Sequence, residues 1–480
     1  MSIISNKILI YLSSRYITYA LQFVVSLVIA DKLGPYYLGV YGMVQLILSY
    51  FDQVNFGIPH SLNVFLVHNK KNHKLQNNLI YNYLVMFTYI SFFIVILSAI
   101  LFITDKIRIG QYAIEGYTLP ICLTAILTYY NTTLTTVIRF RNKVGVLSII
   151  GTLPVLANLC VMFLWSGAQL VNALVYSNLV SSIIILCIFY YTNAFPIFNT
   201  AKFSTTLQKS IIHKGIYLFL YNSCFYFILI SIRTIISSNY SIEEFGFFTF
   251  SFTIANAVML LLNSLNTIIF PKTIDILSNG TNDERIAALA KLRIGYVTSS
   301  HLLIYVALIA FPILLLIFPD YKPALQAMNM IALAVLMNAN SYGYTTFLIA
   351  QNKEKLSSVI SLIALLTSIV LGLILVKVFN VQYSYVILSV LVAYMMFSYL
   401  ATYYASKLLI SSYNSKKAIK DFFPIRLLIP YVTALLISIL NFEIFIWIPL
   451  VVFLLLNYKD LYFLISLAKK LIVNPNLIDV

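Results

Sequence analysis

The chain has 480 residues, of which 61% are hydrophobic and 10% charged, and its net charge is +16. Soluble domains run at about 45–50% apolar and about 25% charged, so there are too few charges here to cover a water-facing surface. With a mean hydropathy of +0.92, the positive charge does not point to a soluble nucleic-acid binder; the solvent is the bilayer.

The apolar residues come in blocks of roughly 20, enough to cross ~30 Å of hydrocarbon as a helix. A spanning barrel would show alternating strands of ~10 residues instead. Helices bond every backbone group within the segment, so the expected fold class is an all-α polytopic membrane protein of about 14 spans. In chain order these are 8–30, 38–62, 79–103, 118–138, 146–165, 170–192, 215–238, 246–270, 294–318, 325–350, 357–379, 382–405, 426–442 and 444–457. Turn and charge signals punctuate them, as at Asp31–Pro35, Arg139–Lys143 and Gln351–Lys355. Met1–Lys7 leads straight into the first block, so no cleavable leader is expected.

Orientation follows from the basic residues. With the N-terminus in the cytoplasm, cytoplasmic segments hold 24 Lys and Arg and the opposite side holds 5, with Arg15 and Arg233 inside spans. Both termini are therefore expected in the cytoplasm, and Tyr458–Ile472 reads as an amphipathic helix on that surface. The longest external loop, 104–117, is too small to be a catalytic domain.

The two halves share features at a fixed offset. Gly39, in Leu33–Tyr41, aligns with Gly246, in Tyr240–Phe248, at an offset of 207. Arg141–Lys143 aligns with Gln351–Lys353 at 210. Matching places in the topology imply a duplication: six-helix bundles at 1–192 and 193–405 in parallel pseudo-repeat, related by an axis along the membrane normal. Residues 406–480 add a helix pair and a cytoplasmic tail. Chance matching of short Gly and Asn-Lys pairs is the plainer alternative. Gly34, Gly39 and Gly246 are read as structural turn residues.

Leu33–Tyr41 (LGPYYLGVY) resembles the LG-P-x-x-[YF]-G-x-Y turn near the start of polysaccharide exporters of the multidrug/oligosaccharidyl-lipid/polysaccharide superfamily, and the sequence down to Phe56–Pro59 resembles them too. Leu316–Ala324 resembles a second turn of that family, with Pro319 in the usual Gly position. The order of these turns along the chain is most similar to the Wzx-type flippases of O-antigen and capsule repeat units. The resemblance implies a non-enzymatic transporter of the bacterial inner membrane, with no cofactor. Its substrate would be an undecaprenyl-pyrophosphate-linked oligosaccharide, for lipopolysaccharide or capsule, moved from the cytoplasmic to the outer leaflet by alternating access. A polysaccharide polymerase would be its partner, beside the lipid bilayer. The family usually carries an Asp near the external end of span seven; Ser231–Arg233 keeps only the basic residue.

Charges inside spans cost ~2.5–3.5 kcal/mol and mark candidate sites. Arg15, Asp52 and Arg233 are the three here, each on a polar stripe at helical spacing. Span one shows Arg15, Tyr19, Gln22 and Ser26; span two Gln45, Ser49, Asp52, Phe56, Pro59 and Asn63; span seven Asn222, Tyr226, Arg233 and Ser237; span eight Asn256, Asn263, Asn266 and Thr267. The substrate-binding candidates are Arg15, Asp52, Arg233, Gln22, Gln45, Asn222, Asn256 and Asn263. At 1.5 Å per residue, Arg15 lies ~10 Å and Asp52 ~15 Å in from the cytoplasmic ends of their spans, so the two are expected to pair. The alternatives are that the arginines snorkel to the headgroups and the asparagines only bond neighbouring helices.

Nothing points to catalysis or a metal. There is no Gly-rich phosphate loop or Walker motif, and His60 and His301, near span ends, read as interfacial. Cys122, Cys160, Cys187 and Cys224 read as small core hydrophobes. Two rival functions remain. A drug or cation exporter of the same superfamily would want acidic cavity residues, and a polysaccharide polymerase or ligase would want a large external loop.

Overall fold

The computed structural model describes residues 2–473 apart from 56, 59–60, 63–64, 67–68, 70–71, 104–110, 113 and 411–412, and the side chains of these except 2–13, 97, 101–103, 115, 214–215, 218, 259–275 and 467–473. Among the described residues the chain is helical nearly throughout, with no strand. Nine described helices are long and apolar enough to cross a membrane, or eleven if two bent pairs each make one span. One of the nine, Ser14–Gln53, has 40 residues and breaks at Gly34 (φ 65°), so at ~60 Å it is long enough for two of the expected spans. This is a multi-pass helical membrane protein.

It divides into two compact units, residues 1–223 with 241–246, and residues 224–240 with 247–480. The first unit holds α1 (Ser2–Gln53), α2 (His73–Ile103), α3 (Thr118–Phe140), α4 (Val144–Leu164), α5 (Gly167–Tyr191) and the start of α6 (Thr205–Asn239). Within it α1 packs on α4 and α5, and α3 on α2 and α5. Its core includes Tyr83, Phe87, Tyr129, Leu134 and Phe189, with Phe87 stacked on Tyr129 at 5.4 Å. Phe92, Phe93, Phe163 and Leu164 point outward, as a lipid-facing surface requires. Hydroxyls on α3 fold back on their own helix, as Thr133 Oγ1 does onto the Tyr129 carbonyl (3.1 Å), so they add little cost in an apolar setting.

The second unit holds the rest of α6, most of α7 (Ile242–Asn279), α8 (Asn282–Ile317), α9 (Leu325–Ala339), α10 (Tyr344–Ala350), α11 (Glu354–Lys377), α12 (Leu388–Leu409), α13 (Ser415–Phe422), α14 (Ile425–Ile439), α15 (Ile448–Leu456) and α16 (Tyr458–Val473). Its centre is α9, where every residue except Gln326 and Asn338 is buried. A helix that is apolar all round belongs in an interior, and α8, α12 and α14 pack around it. Alanines 327, 332, 334 and 339 let those backbones approach.

The turn that matches between the halves has one geometry. Asn142 and Asn352 both adopt φ 53°. The next amide reaches back five residues in each, Lys143 N to the Ile138 carbonyl (3.2 Å) and Lys353 N to the Leu348 carbonyl (2.9 Å). Both are Schellman-type helix ends with Asn in the left-handed position.

Four expectations need correction. Span two does not run to 62, because α1 stops at Gln53 and Gly57 takes φ 67°. Span ten is broken between α9 and α10 at Gly343 (φ 89°). His301 is not interfacial. A capping box of Thr281 and Glu284 starts α8 well before the expected residue 294, which places His301 deep in the helix, fully buried, between Tyr305 Oη (3.0 Å) and Asn340 Oδ1 (3.1 Å). Of the cysteines, Cys122 is buried but Cys160 and Cys187 are exposed.

Candidate functional site

The end of α1 and the turn that follows it make the candidate site. Beyond Gln53 the chain turns: Val54 N bonds the Phe51 carbonyl (2.9 Å), and Ile58 N the Asn55 carbonyl (3.0 Å). Asn55 holds the turn through Oδ1, which accepts from Gly57 N at 2.8 Å, an Asx turn of the kind this side chain favours. Gly57 has positive φ, and a Cβ there would stand 2.6 Å from Phe219 Cβ. Only glycine lets α6 pass so close to the break.

Irregular backbone at membrane depth is tolerated where protein covers it or a polar cavity meets it. Here a cavity of ≈ 460 Å³ adjoins the break, lined by Gln53, Asn55 and Gly57 from α1 and its turn, Phe219, Asn222 and Ser223 from α6, and a stripe from α3. The stripe is Asn131, Thr132, Thr135, Thr136 and Arg139, recurring at helical spacing. Ser223 Oγ donates to Gln53 Oε1 (3.0 Å), tying α6 to the end of α1. Asn131 donates to the Ser182 carbonyl of α5 (3.0 Å). Its Oδ1 is buried with no hydrogen-bond partner among the described residues, a state that costs about 1–3 kcal/mol. Among the described residues that line the cavity, Arg139 is the one cation and there is no Asp or Glu.

Of the residues singled out from sequence, Asn222 lines this cavity. Asp52 is half-buried and lies next to lining residue Gln53; its main-chain carbonyl accepts from Asn55 Nδ2. Arg15 is half-buried, donates to Tyr19 Oη (3.3 Å) and lies 6.0 Å from that ring. The expected Arg15–Asp52 pair does not form among the described residues. The two limbs of α1 lean on different helices, Thr18 bonding Thr152 of α4 (2.9 Å) and the Phe51 carbonyl accepting from Tyr129 of α3 (2.6 Å).

Gln22 is exposed, and Gln45 Nε2 donates to Tyr41 Oη (2.7 Å). In the second unit Arg233 is 4% exposed, with its guanidinium 4.8 Å over the Phe252 ring, and Asn256 is half-buried. The side chain of Asn263 lies outside the described residues, as do those of Asn266, Thr267, Phe56, Pro59 and Asn63.

Gly39 and Gly246 mark a helix crossing rather than a turn. A Cβ on Gly39 would stand 2.1 Å from the Ile242 carbonyl oxygen, and one on Gly246 1.9 Å from that of Pro35. The contact is reciprocal, each glycine facing a carbonyl four residues upstream of the other. Gly34 does turn the chain, at φ 65°.

The α3 stripe was missed as a site. Its signal was in the sequence, where Asn131-Thr132, Thr135-Thr136 and Arg139 repeat at intervals of about four within an apolar block.

Residues 4–276, more than half of the chain, match the model of a family described as polysaccharide biosynthesis protein. The fold is that of transporters of the MOP superfamily. The lipid II flippase MurJ in an inward closed conformation is 13% identical, with a TM-score of 0.67 over 97% of this chain and 100% of that one. An inward-facing multidrug resistance MATE family transporter of the MOP superfamily is 11% identical, with a TM-score of 0.63 over 83% of this chain and 95% of that one. A MOP superfamily transporter from Pyrococcus furiosus, described by the reverse polarity of its binding pocket, is 12% identical, with a TM-score of 0.58 over 83% and 94%. At these identities the likeness is one of fold. No protein of curated function matches the chain in sequence.

Proposed function

We propose that this chain, which belongs to the polysaccharide biosynthesis protein family, is a flippase for undecaprenyl-pyrophosphate-linked oligosaccharide repeat units. In this reading it sits in the bacterial inner membrane with both termini in the cytoplasm, and carries O-antigen or capsule-type units to the outer leaflet. The observation that carries the reading is the cavity, where the described residues gather amides, hydroxyls and one guanidinium beyond the end of α1. Its ≈ 460 Å³ is in the range of small-molecule sites and takes part of a glycan rather than a whole repeat unit. Sugar hydroxyls both donate and accept, so they match Thr and Asn and would relieve the buried Asn131 Oδ1. Arg139 offers a planar fork to a phosphate oxygen pair. Among the described residues that line it there is no carboxylate for an organic cation, which weighs against drug export.

Residues 8–192 and 215–405 are taken as duplicated bundles that rock in alternating access. Arg15, Gln22, Gln45, Asp52, Arg233, Asn256 and Asn263 are proposed as further polar positions on the transport route, with Asn222 at the cavity itself.

The test is export in cells whose surface polysaccharide depends on this chain. A hydrogen bond to a charged group is worth about 1.5–3 kcal/mol, so Arg139→Ala is expected to cut export about 10- to 100-fold at normal protein level. Arg139→Lys should restore part of it, keeping the charge without the fork. Lipid-linked repeat units should accumulate on the cytoplasmic side. Normal export by Arg139→Ala, at wild-type abundance, would remove the cavity from the route.

A further inference from the structure

A second cavity, of ≈ 570 Å³, lies in the second unit among α8, α12, α13, α14 and the start of α16. Its chemistry is unlike that of the first. Arg293, Lys417, Lys420 and Arg426 line it, against Asp421 and Asp460. Three separate segments, each among those counted as basic and cytoplasmic from the sequence and each largely helical in the structure, converge on this one place.

The acids are already engaged. Asp460 Oδ2 pairs with Arg426 Nη2 at 2.8 Å, and Asp421 Oδ2 accepts from Tyr413 Oη at 2.7 Å. Arg293 is a structural fixture. It donates to the carbonyls of Asn340 (2.6 Å) and Asp421 (3.0 Å), and its guanidinium lies 4.3 Å from the centre of the Tyr344 ring. It thus ties the α9–α10 break to the end of α13 and leaves its charge facing carbonyls and a ring. Lys417 and Lys420 stand on the exposed side of α13, and among the described residues neither has a carboxylate in ion-pair range. Lys417 lies 5.6 Å from the centre of the Tyr413 ring.

The other wall is apolar: Leu289, Ile294, Val297 and Leu427 line it. A short helix with Ala418 and Phe422 buried and its lysines exposed has the form of an element lying at headgroup depth. Two cations without carboxylate partners among the described residues, above an apolar wall, suit a ligand with a phosphate at one end and hydrocarbon at the other. Basic pockets between helices on the cytoplasmic side bind anionic headgroups for this reason.

We propose that this cavity binds the phosphate of an anionic phospholipid, with Lys417 and Lys420 holding the headgroup and the apolar wall taking the start of an acyl chain. The ligand is a component of the membrane itself, and the proposal stands apart from the export reading.

Each lysine near an anionic headgroup is worth about a fivefold change in affinity. The experiment uses the full-length protein in neutral detergent, with thermal unfolding followed while phosphatidylglycerol, phosphatidylcholine or inorganic phosphate is titrated. Phosphatidylglycerol should raise the Tm of the wild type, with the double variant Lys417→Gln/Lys420→Gln needing about thirtyfold more lipid for the same rise. A control with the same charge loss, Lys353→Gln/Lys355→Gln, removes exposed lysines outside the cavity and should titrate as the wild type does. An equal rise with phosphatidylcholine, or equal weakening in the control, would overturn the site. If inorganic phosphate alone reproduces the rise, the phosphate chemistry stands and the lipid assignment falls.

Discussion

Replacing Gly246 by alanine tests the packing of the first unit at its tightest point. The new methyl would stand 1.9 Å from the Pro35 carbonyl oxygen, 2.8 Å from the Pro35 carbonyl carbon and 3.2 Å from Gly39 N. Ordinary contact begins near 3.4 Å, so one helix start must move by about 1.5 Å. All three obstacles are backbone, and no rotamer change clears them. Overpacking of this kind costs about 1–3 kcal/mol, partly offset by the ~1 kcal/mol that alanine gains over glycine in a helix. Gly39→Ala meets the Ile242 carbonyl oxygen at 2.1 Å and should cost as much. Because one displacement relieves both clashes, the double variant should lose less than the sum. Gly151→Ala is the control: nothing lies within 4 Å of its Cβ position, and it should be neutral or stabilised by up to about 1 kcal/mol. The assay is the thermal midpoint of detergent-purified protein, read by size-exclusion after heating. A Gly246→Ala protein that melts at or above Gly151→Ala would refute the close crossing.

The remaining expectations concern orientation and Arg15. Alkaline phosphatase fused after Val480 should be inactive and fused near Ser241 active, given the 24-to-5 split of basic residues; a reversed pattern would invert the topology. Arg15→Ala should lower surface polysaccharide with protein still in the membrane, and Arg15→Lys should restore part of it. Unchanged export would mean that Arg15 lies off the transport route.

Membrane class, helix order and the matched Asn142 and Asn352 turns were legible because each depends on local sequence: block length, basic loops and one left-handed residue. Pairing was not. Arg15 and Asp52 have compatible depths, yet Thr18 fixes one limb of α1 to α4 while Tyr129 fixes the end of the other to α3, and depth alone cannot report which neighbour a helix chooses. His301 was legible in principle, since Thr281–Glu284 spells a capping box that starts α8 early. The site itself was written in two places. Asn55-x-Gly57 is a turn signal inside an apolar block, and Asn131–Arg139 is a polar stripe inside another. Either alone reads as a blemish in a span. Together they explain each other, since a broken helix leaves backbone groups that lipid cannot satisfy and a polar stripe needs something other than lipid to face. Paired interruptions of this kind, on helices that pack in one unit, are where the sequence of a helical membrane protein discloses its polar interior.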